Sequence, residues 1–209
     1  MDFKKTTITS YDETAHDYET LVKSFEILPQ LEIFAEMIDS GGTILDLGCG
    51  PGQHSKYFCD LGFKVTGIDL SEKMISLAKS KYRTIDFQVM DIENLEFKNN
   101  RFDGIWASAS LLHIEKSKFT KVLFNLKDIL KDNGILYISL KIGFGERMIH
   151  DDRYYSVLKF FSFFQFAEIE DILNYCDLKI IESNIIKERN SYDTNSWLHL
   201  FVKKIIKTY

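Results

Sequence analysis

The sequence predicts a doubly wound α/β fold with seven strands and helices on both faces of a mostly parallel sheet. Two observations carry this. Short apolar runs alternate with amphipathic segments from Thr43 to Leu140, the rhythm of a parallel sheet covered on both sides. The first run, TILDLGCGPG at Thr43–Gly52, ends in alternate glycines, which reach backbone angles closed to other residues. A length of 209 residues, 45% hydrophobic and 27% charged, suits a single domain over 1–209.

Tyr11–Glu19 and Leu28–Asp39 place apolar residues at helical spacing, and Gly41 and Gly42 close the second segment. After the strand Thr43–Leu47, a helix over His54–Asp60 stops at Gly62, and the strand Lys64–Ile68 ends at Asp69. Ser71 reads as the cap of a helix that buries Met74, Ile75, Leu77 and Ala78. Strands follow at Asp86–Val89 and Phe102–Trp106. A helix over Lys116–Leu130 leads to the strongly apolar strand Ile135–Leu140. The rhythm then breaks at IGFGERMIHDDRYY and the aromatic-dense Tyr154–Phe166. A helix at Glu168–Cys176 and strands at Leu178–Asn184 and Trp197–Ile205 complete the chain.

A formal net charge of -5 and a pI near 5.6 withhold the basic footprint of a nucleic-acid binder. The first residues carry no apolar core or cleavage-site pattern, and no run approaches the roughly 18 apolar residues that span a bilayer. A cytoplasmic protein is the expectation. Cys49, Cys59 and Cys176 never form a CxxC pair, so neither disulfides nor a zinc site is expected.

Asp46 lies inside the first strand, where a buried carboxylate needs a donor or cation beside it. Asp69 ends the second strand about 20 positions past the glycines, where such folds hydrogen-bond ribose hydroxyls. A pyrophosphate-binding turn reads GxGxxG, but here the third glycine comes one residue early and Asp46 sits close to the anion's place. A ligand with a cationic group fits better.

In these residues the chain resembles the class I, seven-stranded, S-adenosylmethionine-dependent methyltransferases. ILDLGCGPG (Ile44–Gly52), GIDLSEKMISLAK (Gly67–Lys79) and VMDIENLEF (Val89–Phe97) resemble the family's first three motifs, and FDGIWASASLLHI (Phe102–Ile114) and LKDNGILYISL (Leu130–Leu140) its later landmarks. The resemblance implies a Rossmann-like fold with an antiparallel C-terminal strand, S-adenosylmethionine as methyl donor and S-adenosylhomocysteine as product. It also implies roles. The backbone at Gly48, Cys49 and Gly50 would lie against the methionine and ribose portions, with Gly52 in the same cofactor-binding turn, Asp46 near the amino group and His54 near the carboxylate. Asp69 would hold the ribose. Leu70 and Met74 would flank the adenine, and Met90, Asp91 and Ile92 would meet its edge. Ala107 and Ser108 would sit by the reacting methyl, with Tyr11 and Tyr18 closing over the cofactor or simply packing. The N-terminal helices (7–39) and the segment 142–166 would form a cap.

His113 follows the fourth strand near the expected methyl position, so it is the candidate catalytic base; a purely packing role is the alternative. Arg147, Arg153, Tyr154 and Tyr155 are candidates for substrate binding; Arg147, Arg153 and Arg189 could pair an acidic substrate group, though each alone is more often a surface arginine. His150, Asp151 and Asp152 read as a solvated loop rather than a metal site, and no metal is expected. Only Pro29 and Pro51 occur, so the Asn/Asp-Pro-Pro-Tyr/Phe signature of enzymes that methylate amide and exocyclic amino nitrogens is absent, and no proline precedes a cysteine as in cytosine carbon-five enzymes. A small-molecule oxygen or nitrogen acceptor is the leading expectation, with a monomer or homodimer and no membrane span. The alternatives are a tRNA or protein methyltransferase, or a cofactor-binding protein of another activity on the same scaffold.

Overall fold

The computed structural model describes residues 2–22, 29–152, 157–187 and 196–205. Among the described residues, seven strands form one sheet in the order β3-β2-β1-β4-β5-β9-β8. They are β1 (Thr43–Leu47), β2 (Lys64–Asp69), β3 (Asp86–Val89), β4 (Phe102–Ala107), β5 (Leu130–Lys141), β8 (Leu178–Lys187) and β9 (Ser196–Lys204). The pairs from β3 to β5 are parallel, and β9 runs antiparallel between β5 and β8. The expected Rossmann-like order and its antiparallel strand are both present.

Apolar runs become strands here because consecutive residues bury on opposite faces. In β5, Leu136 and Ile138 enter the larger core beneath α6 (Lys116–Ile129) and α7 (Phe166–Tyr175), while Ile135 and Tyr137 enter a second, aromatic core. That second core contains Phe34 of α3 (Pro29–Glu36) and Phe58 of α4 (Gln53–Asp60), packed around Trp106. Trp106 stacks on Tyr137 with centroids 3.8 Å apart. Helix α5 (Glu72–Lys81) is capped by the Ser71 hydroxyl, which accepts from the Met74 N–H at 3.1 Å.

Two regions differ from the sequence expectation. The N-terminal helix begins well before Tyr11: α1 spans Phe3–Glu13, breaks at Thr14, and gives way to α2 (Ala15–Val22). Its polar run TTITS has low helix propensity, yet Asp2 caps it and the hydroxyls of Thr7 and Thr14 bond back to carbonyls four residues earlier. The segment after β5 is a hairpin, with β6 (Glu146–Asp151) antiparallel to β7 (Val157–Ser162). Its period-two signal is hidden because both faces of β7 are covered: Lys159, Phe160, Phe161 and Ser162 are all buried. Helix α1 lies against β7. Phe3 stacks on Phe160, the Thr7 hydroxyl accepts from Phe160 N–H at 2.9 Å, and the Ser10 hydroxyl donates to the Leu158 carbonyl at 2.7 Å.

The expectation of a solvated loop at 150–152 fails for Asp151. It is buried in the hairpin and paired with the fully buried Lys159 at 3.0 Å. Burying one of these charges alone would be very unfavourable, and the pair places them together.

Candidate functional site

The cavity opens at the carboxyl ends of β1 and β4, where the strand order reverses and doubly wound folds bind their ligands. Counted out to open solvent it encloses about 770 Å³.

The glycine turn forms its floor. Gly48 and Gly52 have φ of 73° and 86°, and a Cβ on Gly48 would stand 2.5 Å from Ser110 Cβ. Any side chain at 48 therefore meets both a strained backbone and a filled space. The turn's amides point inward: those of Gly48 and Cys49 donate to the Ile68 carbonyl, each at 2.8 Å. The Gly50 amide donates to Asp69 at 2.9 Å, and Ser71 N–H donates to the other oxygen of the same carboxylate at 2.9 Å. Burial raises the Asp69 pKa, with the Asp12 charge adding to it and the two amides opposing it. Asp69 is thus fixed in orientation and lines the cavity.

Leu70, Met74, Ile92, Ser108, Gly48 and Gly50 also line the wall, as do Tyr11 and Tyr18 from the N-terminal helices. Asp91 lines it while bound to Lys4 at 2.8 Å. Partial burial opposes ionisation of Asp91, but the bonds from Lys4 and the Glu93 amide outweigh it and hold the carboxyl below its usual range.

Six residues expected at the ligand stand behind the wall. Asp46 is buried under the turn and accepts from the Ser55 hydroxyl at 2.6 Å; burial, with the Asp69 charge, lifts its pKa to about 7. The donor expected beside it is therefore a neighbouring serine. The Cys49 side chain enters a small core with Ile75 and Phe87, and Gly52 packs against the Phe87 ring. His54 turns away from the cavity because its Nδ1 accepts from Trp106 Nε1–H at 3.1 Å, and burial pushes its pKa down to about 4. Met90 packs on the large core, and Ala107 is buried at the end of β4. Arg147 also misses the cavity: its guanidinium lies 3.9 Å from the Phe163 ring centre and donates to the Phe144 carbonyl. Arg153, Tyr154, Tyr155 and Arg189 lie outside the described residues.

His113 closes a short 3-10 turn, Leu111–His113, and lines the cavity. Its Nδ1 faces the Phe160 carbonyl at 2.7 Å, an atom that only accepts, so Nδ1 carries the proton. Its Nε2 is 2.9 Å from the Tyr11 hydroxyl. Burial pushes its pKa down to about 4; the charges of Lys159 and Lys141 act in the same direction, while the Phe160 carbonyl and Asp151 oppose them. The ring is therefore neutral near pH 7, and Nε2 accepts the Tyr11 proton.

Sequence reasoning missed Lys4, Ala109 and Ser110. Ala109 adopts a left-handed backbone, φ 51°, steadied by its N–H donating to Ser139 Oγ at 2.8 Å. Ser110 is 6% exposed, lines the cavity, and its hydroxyl has no hydrogen-bond partner among the described residues. Two small residues in a row gave no signal for either feature.

Residues 44–134 match the family model described as "Methyltransferase domain". Over 161 residues, 77% of this chain, the sequence is 30% identical to the malonyl-[acyl-carrier protein] O-methyltransferase of Buchnera aphidicola subsp. Baizongia pistaciae. By these matches the chain is similar to S-adenosylmethionine-dependent methyltransferases of class I. It spans 62% of that relative's length. Among solved structures, the class I fold recurs in the Burkholderia thailandensis 1,6-didemethyltoxoflavin-N1-methyltransferase, with a TM-score of 0.77 at 20% identity, covering 97% of this chain and 89% of that one. It recurs in the [4+2]-cyclase SpnF, with a TM-score of 0.75 at 17% identity, covering 95% and 96%. These likenesses establish the fold alone, and the cyclase shows that the class I scaffold also hosts other chemistry.

Proposed function

We propose that this protein is an S-adenosylmethionine-dependent methyltransferase acting on a small-molecule oxygen or nitrogen acceptor. The observation that carries this is Asp69: a carboxylate at the end of β2, oriented by two amides, beside a turn where a Cβ at Gly48 has no room. This arrangement fits an adenosyl ligand. Asp69 offers its remaining lone pairs to ribose hydroxyls, Leu70 and Met74 offer apolar contact to the base, and Asp91 offers an acceptor to its amino edge once shared with Lys4. The related structure from Burkholderia thailandensis contains S-adenosylhomocysteine, which supports the same ligand class here. When bound, S-adenosylmethionine supplies a methyl group on a sulfonium whose sulfur keeps the electron pair of the broken bond. The chain's own contribution is to hold the acceptor in line and exclude water, and positioning of this kind accounts for much of such a rate enhancement.

Helix α1 and the β6–β7 hairpin serve as the cap over this site, as the contacts of Thr7, Ser10 and Tyr11 support. Calorimetric titration with S-adenosylmethionine, S-adenosylhomocysteine and NADH tests the reading. Binding of the first two without the third is expected, and binding of NADH alone would overturn it.

A further inference from the structure

The turn after β4 is shaped from β5 and β9. Ser108, Ala109 and Ser110 line the cavity in succession, and Ala109 between them holds a left-handed backbone, φ 51°. A residue with a Cβ keeps that conformation where its surroundings impose it, and such strain gathers at functional sites. Here the Ala109 N–H donates to the Ser139 hydroxyl of β5 at 2.8 Å. Ser139 lies opposite His199 of β9 in the sheet. Two residues before it in β5 stands Tyr137, whose hydroxyl is 2.6 Å from His199 Nδ1. Burial raises the Tyr137 pKa, and a side-chain hydrogen bond with Ser139 opposes the rise. All three side chains are buried, and Trp106, stacked on Tyr137, holds the phenol in its plane.

One direction of bonding satisfies the whole row. Burial pushes the His199 pKa down to about 4, so the ring is neutral near pH 7 and one of its nitrogens is bare. With Nδ1 bare, Tyr137 donates to it, the Ser139 hydroxyl donates to the phenol oxygen, and the Ala109 N–H donates to Ser139, so each hydroxyl gives one proton and accepts one. With the opposite tautomer, Ser139 would accept from both neighbours and its own proton would be buried without an acceptor among the described residues, which is costly. Hydrogen bonds aligned in one direction also polarise and strengthen one another.

Resting on the methyltransferase reading above, we propose that Ser139, Tyr137 and His199 are positioning residues for methyl transfer: their row of hydrogen bonds fixes the Ala109 backbone and so sets the Ser108 and Ser110 hydroxyls at the donor's sulfur. Ser110 stands against Gly48, where an added Cβ would come within 2.5 Å of the Ser110 Cβ, and the Gly48 backbone is the surface offered to the methionine and ribose portions of the donor. The sulfur is the atom that joins those two portions. Ser139, Tyr137 and His199 stand outside the cavity lining and act through Ala109. Removing the Tyr137 hydroxyl leaves the Ser139 proton without its acceptor, and Ser139 is then free to turn away from the Ala109 N–H.

The test uses the whole protein, labelled with nitrogen-15 and titrated with S-adenosylhomocysteine. Y137F keeps the ring and its stack on Trp106; it should shift the Ala109 and Ser110 amide signals and weaken binding by about three- to tenfold, the range of one lost hydrogen bond. H199L should do the same, and H199N, whose side-chain oxygen accepts in place of Nδ1, should restore both. Phe201 provides the control, because it packs on Tyr137 with centroids 5.2 Å apart but stands outside the row. F201L should lower the melting temperature and leave both the amide signals and the affinity as they are. Unmoved Ala109 signals in Y137F, the same change in F201L, or no difference between H199L and H199N would overturn the proposal. If Y137F does not fold, the H199L and H199N pair decides, since His199 lies at the end of the row. Ring nitrogen shifts should also show a bare Nδ1 on His199 at pH 7, and a protonated Nδ1 would overturn the proposal as well. Failure of the unaltered protein to bind S-adenosylhomocysteine would instead indict the methyl-donor reading, while the amide signals judge the row without ligand.

Discussion

Around the glycine turn the cavity is walled by backbone: Gly48 and Gly50 approach it directly, and Asp69 is fixed by amides of its own loop and of the turn. Around His113 it is walled by side chains from distant parts of the chain. Tyr11 and His113 lie 102 positions apart, and Thr7 and Phe160 lie 153 apart. A wall of backbone depends on a few residues in a row, so a change there is felt locally. A wall assembled from remote segments depends on the cap being seated, so a change there propagates through packing.

The sharpest way to break this contrast is at Lys159. Lys159→Met leaves the Asp151 carboxylate buried without that ammonium, which should cost about 3–5 kcal/mol of stability by urea denaturation. A loss below about 1 kcal/mol would mean that the hairpin does not depend on the pair. On the other wall, Asp69→Ala should weaken binding of S-adenosylhomocysteine by about 1–3 kcal/mol with little change in melting temperature. Unchanged affinity would place the ribose elsewhere. Gly48→Ala should cost about 1–2 kcal/mol from its left-handed backbone, with a further loss of ligand affinity as Ser110 is displaced, seen in the same titration.

Acid should act on two sets of buried groups in opposite senses. His54, His113 and His199 are all pushed down to about 4 by burial, so the unfolded chain binds protons between pH 6.5 and 4 that the folded chain refuses. Their contribution to stability is present at neutral pH and is lost as pH falls through that window. Asp46, lifted to about 7, acts the other way: the folded state holds its proton more tightly, so its contribution declines as pH rises from 4 to 7. Asp46→Asn should therefore steepen the acid loss seen in denaturation curves at pH 7, 5.5 and 4.5, and an unchanged slope would refute this division. The smallest effect is expected at Lys4→Ala, less than about 1 kcal/mol of stability, because the Lys4 to Asp91 pair is partly exposed.

The same contrast decides how much the sequence disclosed. The strands, the helices that follow them and the glycine turn are local patterns, so TILDLGCGPG, the Ser71 cap and the spacing to Asp69 were legible residue by residue. The antiparallel β9 was legible only through resemblance. The hairpin was hidden because Lys159 to Ser162 are buried on both faces and show no alternation. His54 was misplaced because nothing in its neighbourhood announces that Trp106, 52 positions away, donates to it. Ser110 and Ala109 look like filler, and their interest arises only from an unpartnered hydroxyl and a left-handed backbone.

Helix α1 is bonded on both sides. Lys4 and Asp12 tie it to Asp91 and Ser71 on one flank, and Thr7, Ser10 and Tyr11 tie it to the hairpin and His113 on the other. Two occupants of the cavity that both press on α1 are therefore thermodynamically linked. Whatever free energy the first contributes to seating that helix is returned to the second in equal measure, whichever arrives first.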